Sequence, residues 1–366
     1  MLFAPATTPR LIVKVGSALL DDPAGTVRRD WLATLVADVA ARVAAGQQIA
    51  IVSSGAIALG ARRLGLAKGG RASLEDAQAA AATGQIALAQ AWAELLARHD
   101  LPAAQILVTL GDLEDRRRYL NAAATLGRLL RLGAVPVINE NDSVATEEIR
   151  FGDNDRLAAR VAQAAGASAL ILLSDVDGLY DADPSANPDA RHIAHVARID
   201  DVADMAAATS ASGMGSGGMA SKIAAARIAA AAGIAMAIAS GRVDHPLATE
   251  RRHTLFAADR AARARKAWLA GGLTAAGTIH VDGGAATALA SDGSLLAAGI
   301  IDVAGSFARG DLVAIDGPAG PLARGLAEYD AAETRALAGR RRDEHAAILG
   351  YAPRSAVVHR SHLALL

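Results

Sequence analysis

The stretch Gly213-Met214-Gly215-Ser216-Gly217-Gly218-Met219-Ala220-Ser221-Lys222 runs straight into the helix-forming segment Ile223-Ala224-Ala225-Ala226-Arg227. Glycines let backbone N–H groups come close to an anion, a helix N-terminus adds partial positive charge, and a lysine on the first turn can reach phosphate oxygens. The stretch therefore reads as a phosphate clamp, although such a run taken alone is equally an ordinary loop. It lacks the Gly-Lys-Ser/Thr order of a Walker A loop, so any nucleotide chemistry has to rest on a different fold.

Working outward from this segment, short apolar runs at 11–15, 48–52, 105–109, 134–138, 169–173 and 234–239 alternate with helical patterns at 73–98, 120–132, 155–165 and 219–232. That alternation predicts a mostly parallel sheet covered by helices on both faces. Between the first two strands, Asp30 is placed to cap a helix whose Trp31, Leu32, Leu35, Val36, Val39 and Val43 share one face. Ligands of such sheets bind beyond the carboxyl ends of the strands, so the polar turns after the strands are expected to line one crevice. After about residue 250 the text changes to a basic stretch, Arg251-Arg252-His253 and then 260–266, which reads as a link. Beyond Gly277 come short β-like pieces at 278–281, 299–303, 311–315 and 356–359, consistent with a small barrel carrying one or two helices.

A chain of 366 residues is long for one domain, and two are expected. Hydrophobic residues make up 52% and aromatics only 3%, so small aliphatic side chains fill the interior. The net charge of −1 supplies no global field towards nucleic acid or membrane, and the absence of cysteine excludes a disulfide framework or thiolate metal site. No basic leader followed by an apolar segment opens the chain and no apolar run has membrane-spanning length, so a cytoplasmic protein is expected.

Several turns carry chemistry. Val13-Lys14-Val15-Gly16-Ser17 puts a lysine inside an apolar strand, which is costly unless an anion neutralises it, so Lys14 is expected to face a bound phosphate unless it snorkels from an edge. Ser53-Ser54-Gly55 stands at a strand-to-helix junction suited to a carboxylate or phosphate, or to simple capping. Asn139-Glu140-Asn141-Asp142 and Gly152-Asp153-Asn154-Asp155 are rich in acceptors for a primary ammonium; a hydrated cation or plain Asx turns are the alternatives. Ser174-Asp175-Val176-Asp177-Gly178-Leu179-Tyr180 offers polar groups to a ribose or base, whereas His192 and His195 read as surface residues rather than a metal pair.

Together these motifs resemble the glutamate 5-kinase family of the amino acid kinase superfamily, over almost the whole chain. The pair Asn139-Glu140-Asn141-Asp142 and Gly152-Asp153-Asn154-Asp155 is its most specific mark. Gly277-Thr278-Ile279-His280-Val281-Asp282, Gly305-Ser306-Phe307-Ala308-Arg309-Gly310-Asp311 and Ala323-Arg324-Gly325-Leu326 are similar to a PUA domain. The resemblance implies a three-layer α/β/α amino acid kinase fold with a mostly parallel central sheet at 8–257, a linker at 258–274 and a PUA-like β-barrel at 275–360. It implies ATP-dependent phosphorylation of the L-glutamate side chain, the first step towards proline, with Mg²⁺ accompanying ATP and no metal ligands assigned. Lys14 and Lys222 would serve catalysis, and Lys14, Ser174, Asp175, Ser216, Gly217, Gly218, Met219, Ala220, Ser221 and Lys222 would bind ATP. Ser54, Asp142 and Asn154 would hold glutamate, with Asp153 and Asp155 in support. Ala220 and Leu110 depart from the family pattern. Proline feedback, a homo-oligomer built through the kinase domain and passage of product to the next pathway enzyme are also implied. Competing readings are an acetylglutamate or aspartate kinase, and an RNA-binding regulator acting through the barrel, for which Arg340-Arg341-Arg342 is the suggestive run.

Overall fold

The computed structural model describes residues 2–20, 26–144, 153–184, 186–202, 216–248, 251–258 and 275–366. The chain divides into two compact units, one of Met1–Glu114 with Asn121–Asp259, the other of Asp115–Leu120 with Arg260–Leu366. Of the expected linker, 259–274 lies outside the described residues, as do Gly213, Met214, Gly215 and Gly152.

The first unit is built on an eight-stranded sheet. Its strands are β1 (Arg10–Val15), β2 (Gln48–Val52), β3 (Ala103–Val108), β4 (Val135–Glu140), β5 (Ala169–Ser174), β8 (His195–Val196), β9 (Ala235–Ser240) and β10 (His253–Phe256), while β6 (Leu179–Tyr180) and β7 (His192–Ile193) form a separate hairpin. The spatial order is β3-β4-β2-β1-β5-β9-β10-β8, and every pair is parallel except β9 with β10. Strand order turns back at β1, with β2, β4 and β3 on one side and β5 and β9 on the other. That reversal opens a crevice at the carboxyl ends.

Both faces of the sheet are covered, which is why β1 and β5 read as unbroken apolar runs rather than alternating ones. On one face, Leu11, Val13, Val15, Ile49, Ile51, Ile171 and Leu173 pack with Trp31, Leu32, Leu35, Val36 and Val39 of α2 (Arg29–Ala44) and with Leu88, Trp92, Leu95 and Leu96 of α4 (Leu74–Ala97). The period of two then sends Ile12 and Lys14 to the opposite face, where α7 (Asp153–Ala164) lies against β1, β2, β4 and β5 and against α8 (Ser216–Ala231). Helix α4 starts at a Ser73 cap whose hydroxyl accepts from Asp76 N at 3.1 Å. Helix α2 does not start as expected: Arg28 holds the cap position without a side-chain bond, and Asp30 sits in the first turn. Burial of Trp31 and Leu32 fixes that end, and the Asp30 charge serves the helix dipole instead of capping it.

In the second unit, β11 (Gly277–Val281), β12 (Ile300–Gly305), β13 (Leu312–Gly317), β14 (Gly320–Leu326) and β15 (Leu363–Leu365) form a mixed five-stranded sheet in the order β12-β11-β13-β14-β15. Its core gathers Ile279, Val281, Val303, Phe307, Val313, Ile315, Tyr329 and Val358. The strand expected at 356–359 is a correction. Val358 makes one isolated bridge to Leu295, and the last strand is β15, paired with β14.

Helix α3 (Ala56–Leu64) and α4 approach so closely that a Cβ on Gly60 would lie 1.7 Å from the Ala80 carbonyl oxygen, and one on Gly84 would lie 1.9 Å from that of Ala56. Backbone cannot yield as a side chain tip can. Gly60→Ala and Gly84→Ala are each expected to cost about 3 kcal/mol or more by forcing the two helices apart. Denaturant unfolding checks this; a loss below about 1 kcal/mol would contradict so close a contact.

Candidate active site

Lys14 leaves β1 on the α7 side and ends beside Asp155: its Nζ lies 2.5 Å from Asp155 Oδ1. Lys222, on the second turn of α8, donates from Nζ to Asp155 Oδ2 at 2.9 Å and reaches its own helix at Gly218 O, 3.5 Å away. One carboxylate is thus spanned by two ammonium groups, each on its own oxygen. All three are buried, with Asp155 only 1% exposed. The Lys14 contact is the closer of the two and joins opposite charges directly. Burial lowers the Lys14 pKa, Asp155 pulls it back up, and the neighbouring Lys222 lowers it again; the Asp175 charge is near enough to add to the upward pull. Burial pushes Asp155 up, but the two lysines outweigh it and hold the carboxyl below its ordinary range.

The turns after the parallel strands supply the rest. After β2, Ser53 is locked by a bond from Trp92 Nε1 at 3.0 Å. Ser54 is buried and its Oγ has no hydrogen-bond partner. It is not a helix cap, because Gly55 holds that position at φ 96, a left-handed value suited to glycine. Asn154, at the start of α7, likewise keeps a buried Oδ1 without a partner. After β4, Asp142 is buried and lines a cavity of about 290 Å³ with Gln85, Glu140, Asn141 and Ser143. Burial lowers the pKa of Arg71, and the Asp142 charge pulls it back up. On the other side of β1, Ser174 ends β5 and its hydroxyl donates to Asp175 Oδ1 at 3.0 Å.

The structure thereby brings Lys14, Lys222 and Asp155 into contact and sets Ser54, Asp142, Ser174 and Asp175 on successive strand ends. Gly218, with open space over its Cα, Met219, Ala220 and Ser221 lie on the first turns of α8. The side chains of Asp153 and Ser216 lie outside the described residues, and Gly217 is given by its backbone alone. Three supporting residues were missed from sequence: Gln85, which accepts from Asn139 Nδ2 at 2.8 Å, Trp92 and Arg71. The signals were faint, a glutamine after Gly84 and one tryptophan on an apolar helix face. Elsewhere, Arg340 and Arg341 are exposed and paired with Glu344 and Asp343 at 3.8 and 3.9 Å, as a solvated turn would be. No group of three His, Asp or Glu among the described residues is disposed to hold a metal, and no helix among them is long and apolar enough to cross a membrane.

The model of the amino acid kinase family matches residues 9–240, and that of the PUA domain matches 277–349. Over its full length the chain is 70% identical to the glutamate 5-kinase of Sphingopyxis alaskensis, also covered completely. It is 62% identical to the glutamate 5-kinase of Novosphingobium aromaticivorans over 99% of this chain and 97% of that one. The glutamate 5-kinase of Zymomonas mobilis is 57% identical over 100% of this chain and 93% of its own. Among solved structures, an isopentenyl phosphate kinase overlays 68% of this chain and 99% of its own at a TM-score of 0.47 and 18% identity.

Asp155→Asn strands two buried ammonium groups, at an expected cost of about 3–5 kcal/mol at neutral pH. The sign of its pH dependence follows from the lowered folded-state pKa. The carboxylate's contribution is complete above its unfolded value of about 4 and is lost as pH falls through the folded one. The stability gap between wild type and variant should therefore be wide at pH 7 and shrink below about pH 4. Denaturant midpoints across that range measure it, and a gap that stays constant into acid would contradict an ionised bridge.

Proposed function

The chain belongs to the glutamate 5-kinase branch of the amino acid kinase family, and we propose that its crevice performs that branch's reaction with the nucleotide over β5 and β9 and L-glutamate over β2 and β4. ATP phosphorylates the glutamate side-chain carboxylate to give L-glutamyl 5-phosphate and ADP, the step that opens the route to proline. The observation that carries the assignment of roles is the Lys14–Asp155–Lys222 bridge at the strand-order reversal, flanked by the unpartnered Ser54 Oγ and Asn154 Oδ1. A buried polar atom left unbonded costs about 1–3 kcal/mol, which a substrate's own polar groups would recover.

In the reaction a side-chain oxygen of glutamate forms a bond to the γ-phosphorus while the bond from phosphorus to the β,γ-bridging oxygen breaks, and its electron pair leaves on ADP. No proton moves. A carboxylate is already ionised at neutral pH, so no general base is needed. The obstacle is repulsion: two like unit charges about 4 Å apart at an effective dielectric near 20 cost roughly 4 kcal/mol. Lys14 and Lys222 offset it and stabilise charge moving towards ADP. Asp155 positions both ammonium groups before the nucleotide arrives.

Mg²⁺ enters with the nucleotide as part of the substrate. Asp155 fits poorly as its ligand, since both oxygens face lysines. Asp142 and the amide oxygens near it suit the free α-ammonium of glutamate, a group that acetylglutamate lacks. The acyl phosphate product is labile and calls for prompt consumption by the next enzyme.

Lys222→Ala should lower kcat by about 10²–10³ or more, while the KM for glutamate stays within a few-fold. Ser54→Ala and Asn154→Ala should do the reverse, raising the glutamate KM by roughly tenfold with a smaller effect on kcat. Steady-state ADP release with glutamate, aspartate, acetylglutamate and UMP side by side tests the whole assignment. Turnover with acetylglutamate and none with glutamate would overturn it.

A further inference from the structure

The turn after β9 carries a cation that the crevice has not yet been given a use for. Ser240 ends β9 directly opposite Ser174 of β5, and Gly241 N donates to Ser174 O at 2.7 Å. The next residue, Arg242, therefore stands beside Asp175, with its NH2 3.8 Å from Asp175 Oδ2. From the sheet face opposite Lys14, α2 fastens the backbone that follows. Trp31 Nε1 donates to Val243 O at 3.0 Å, Thr34 Oγ1 accepts from His245 N at 3.1 Å, and the buried Asp38 takes His245 Nδ1 at 2.8 Å and Leu247 N at 2.9 Å. Three side chains, one of them a buried carboxylate, are spent on holding one surface turn. The Arg242 side chain itself stays 67% exposed.

We infer that Arg242 binds the phosphate chain of the nucleotide, as a third cation beside Asp175 at the carboxyl ends of β5 and β9. Charge balance is the first reason. Lys14, Lys222 and Asp155 together keep one net positive charge, and Arg242 screens the Asp175 carboxylate that would otherwise repel a polyanion at the strand ends. Bond strength is the second. An exposed ion pair held at 3.8 Å is weak and readily exchanged, whereas a guanidinium and a phosphate make paired charge-assisted hydrogen bonds of much greater strength. Placement is the third, because the strapped turn delivers the guanidinium to the strand ends without ordering a loop on binding.

This inference rests on the crevice being the ATP site, and the test separates the two. In the full chain, Arg242→Gln and Arg242→Lys are compared with wild type by initial rates against ATP and glutamate, with ADP and adenosine as inhibitors competing with ATP. Arg242→Gln should raise the ATP KM and the ADP inhibition constant at least about tenfold, with kcat, the glutamate KM, the adenosine inhibition constant and the thermal midpoint unchanged. Arg242→Lys should recover part of the loss. An ADP constant unaltered in Arg242→Gln overturns the inference, and so does an equal loss for ADP and adenosine, which would assign the residue to ribose or base. If wild type itself neither turns over ATP nor responds to ADP, the reading of the crevice falls with it.

Discussion

A single carboxylate with an ammonium on each oxygen organises this molecule. Asp155 joins β1 to α8 through Lys14 and Lys222, and it does so from α7, the helix packed between them. None of the three charges would survive burial alone, since desolvation would neutralise it or expel it to water. Together they leave one net positive charge inside the kinase unit. Such a centre is stable enough to fold and is left wanting an anion. On the proposed assignment, the nucleotide site is part of the core, not attached to its surface.

That arrangement constrains everything around it. Lys14 can meet Asp155 only because the pleat turns it away from the Val13 and Val15 face, so a one-residue slip of β1 would put the lysine among Trp31, Leu35 and Trp92. The opposite face is accordingly packed tightly. The glycine contact between α3 and α4 draws those helices together, and Trp92 reaches through to fix Ser53. Ser54 next to it is then held with its hydroxyl unspent. Scaffold and site are linked residue by residue, strand end by strand end.

Much of this was legible in the sequence because the signals were expensive. A lysine in an apolar strand, a serine pair before a glycine and two dense Asn/Asp turns each demand a reason, and the parallel sheet gives them a common crevice. Asp155 was harder to read. It sits in a run of acceptors that suits an ammonium or a metal equally, and only the start of α7 at Asp153 decides where it points, because successive helical side chains diverge by about 100°. The strand β14 was missed for a different reason: Gly320-Pro321-Leu322-Ala323-Arg324-Gly325-Leu326 has no β-branched residue, and its pairing to β13 and β15 is a tertiary fact. Arg242 was invisible, since Gly-Arg after a strand is an ordinary turn until its neighbour is known.

The choice of lysine over arginine at the two inner positions follows from the same electrostatics. An ammonium is a compact point charge with three rotatable donors, so it can turn from a carboxylate oxygen to a phosphate oxygen without moving its stem. A guanidinium presents a planar fork and would need room that the space between β1, α7 and α8 does not offer, with Lys14 and Lys222 less than a tenth exposed. At the rim the requirement reverses. There, space is open and the ligand we infer is the outer edge of a phosphate chain, where a bidentate fork on a rigid turn gains geometry as well as charge. In the proposed site, buried lysines that hand over their partner and an exposed arginine at the rim are two solutions to one problem, set by depth in the crevice.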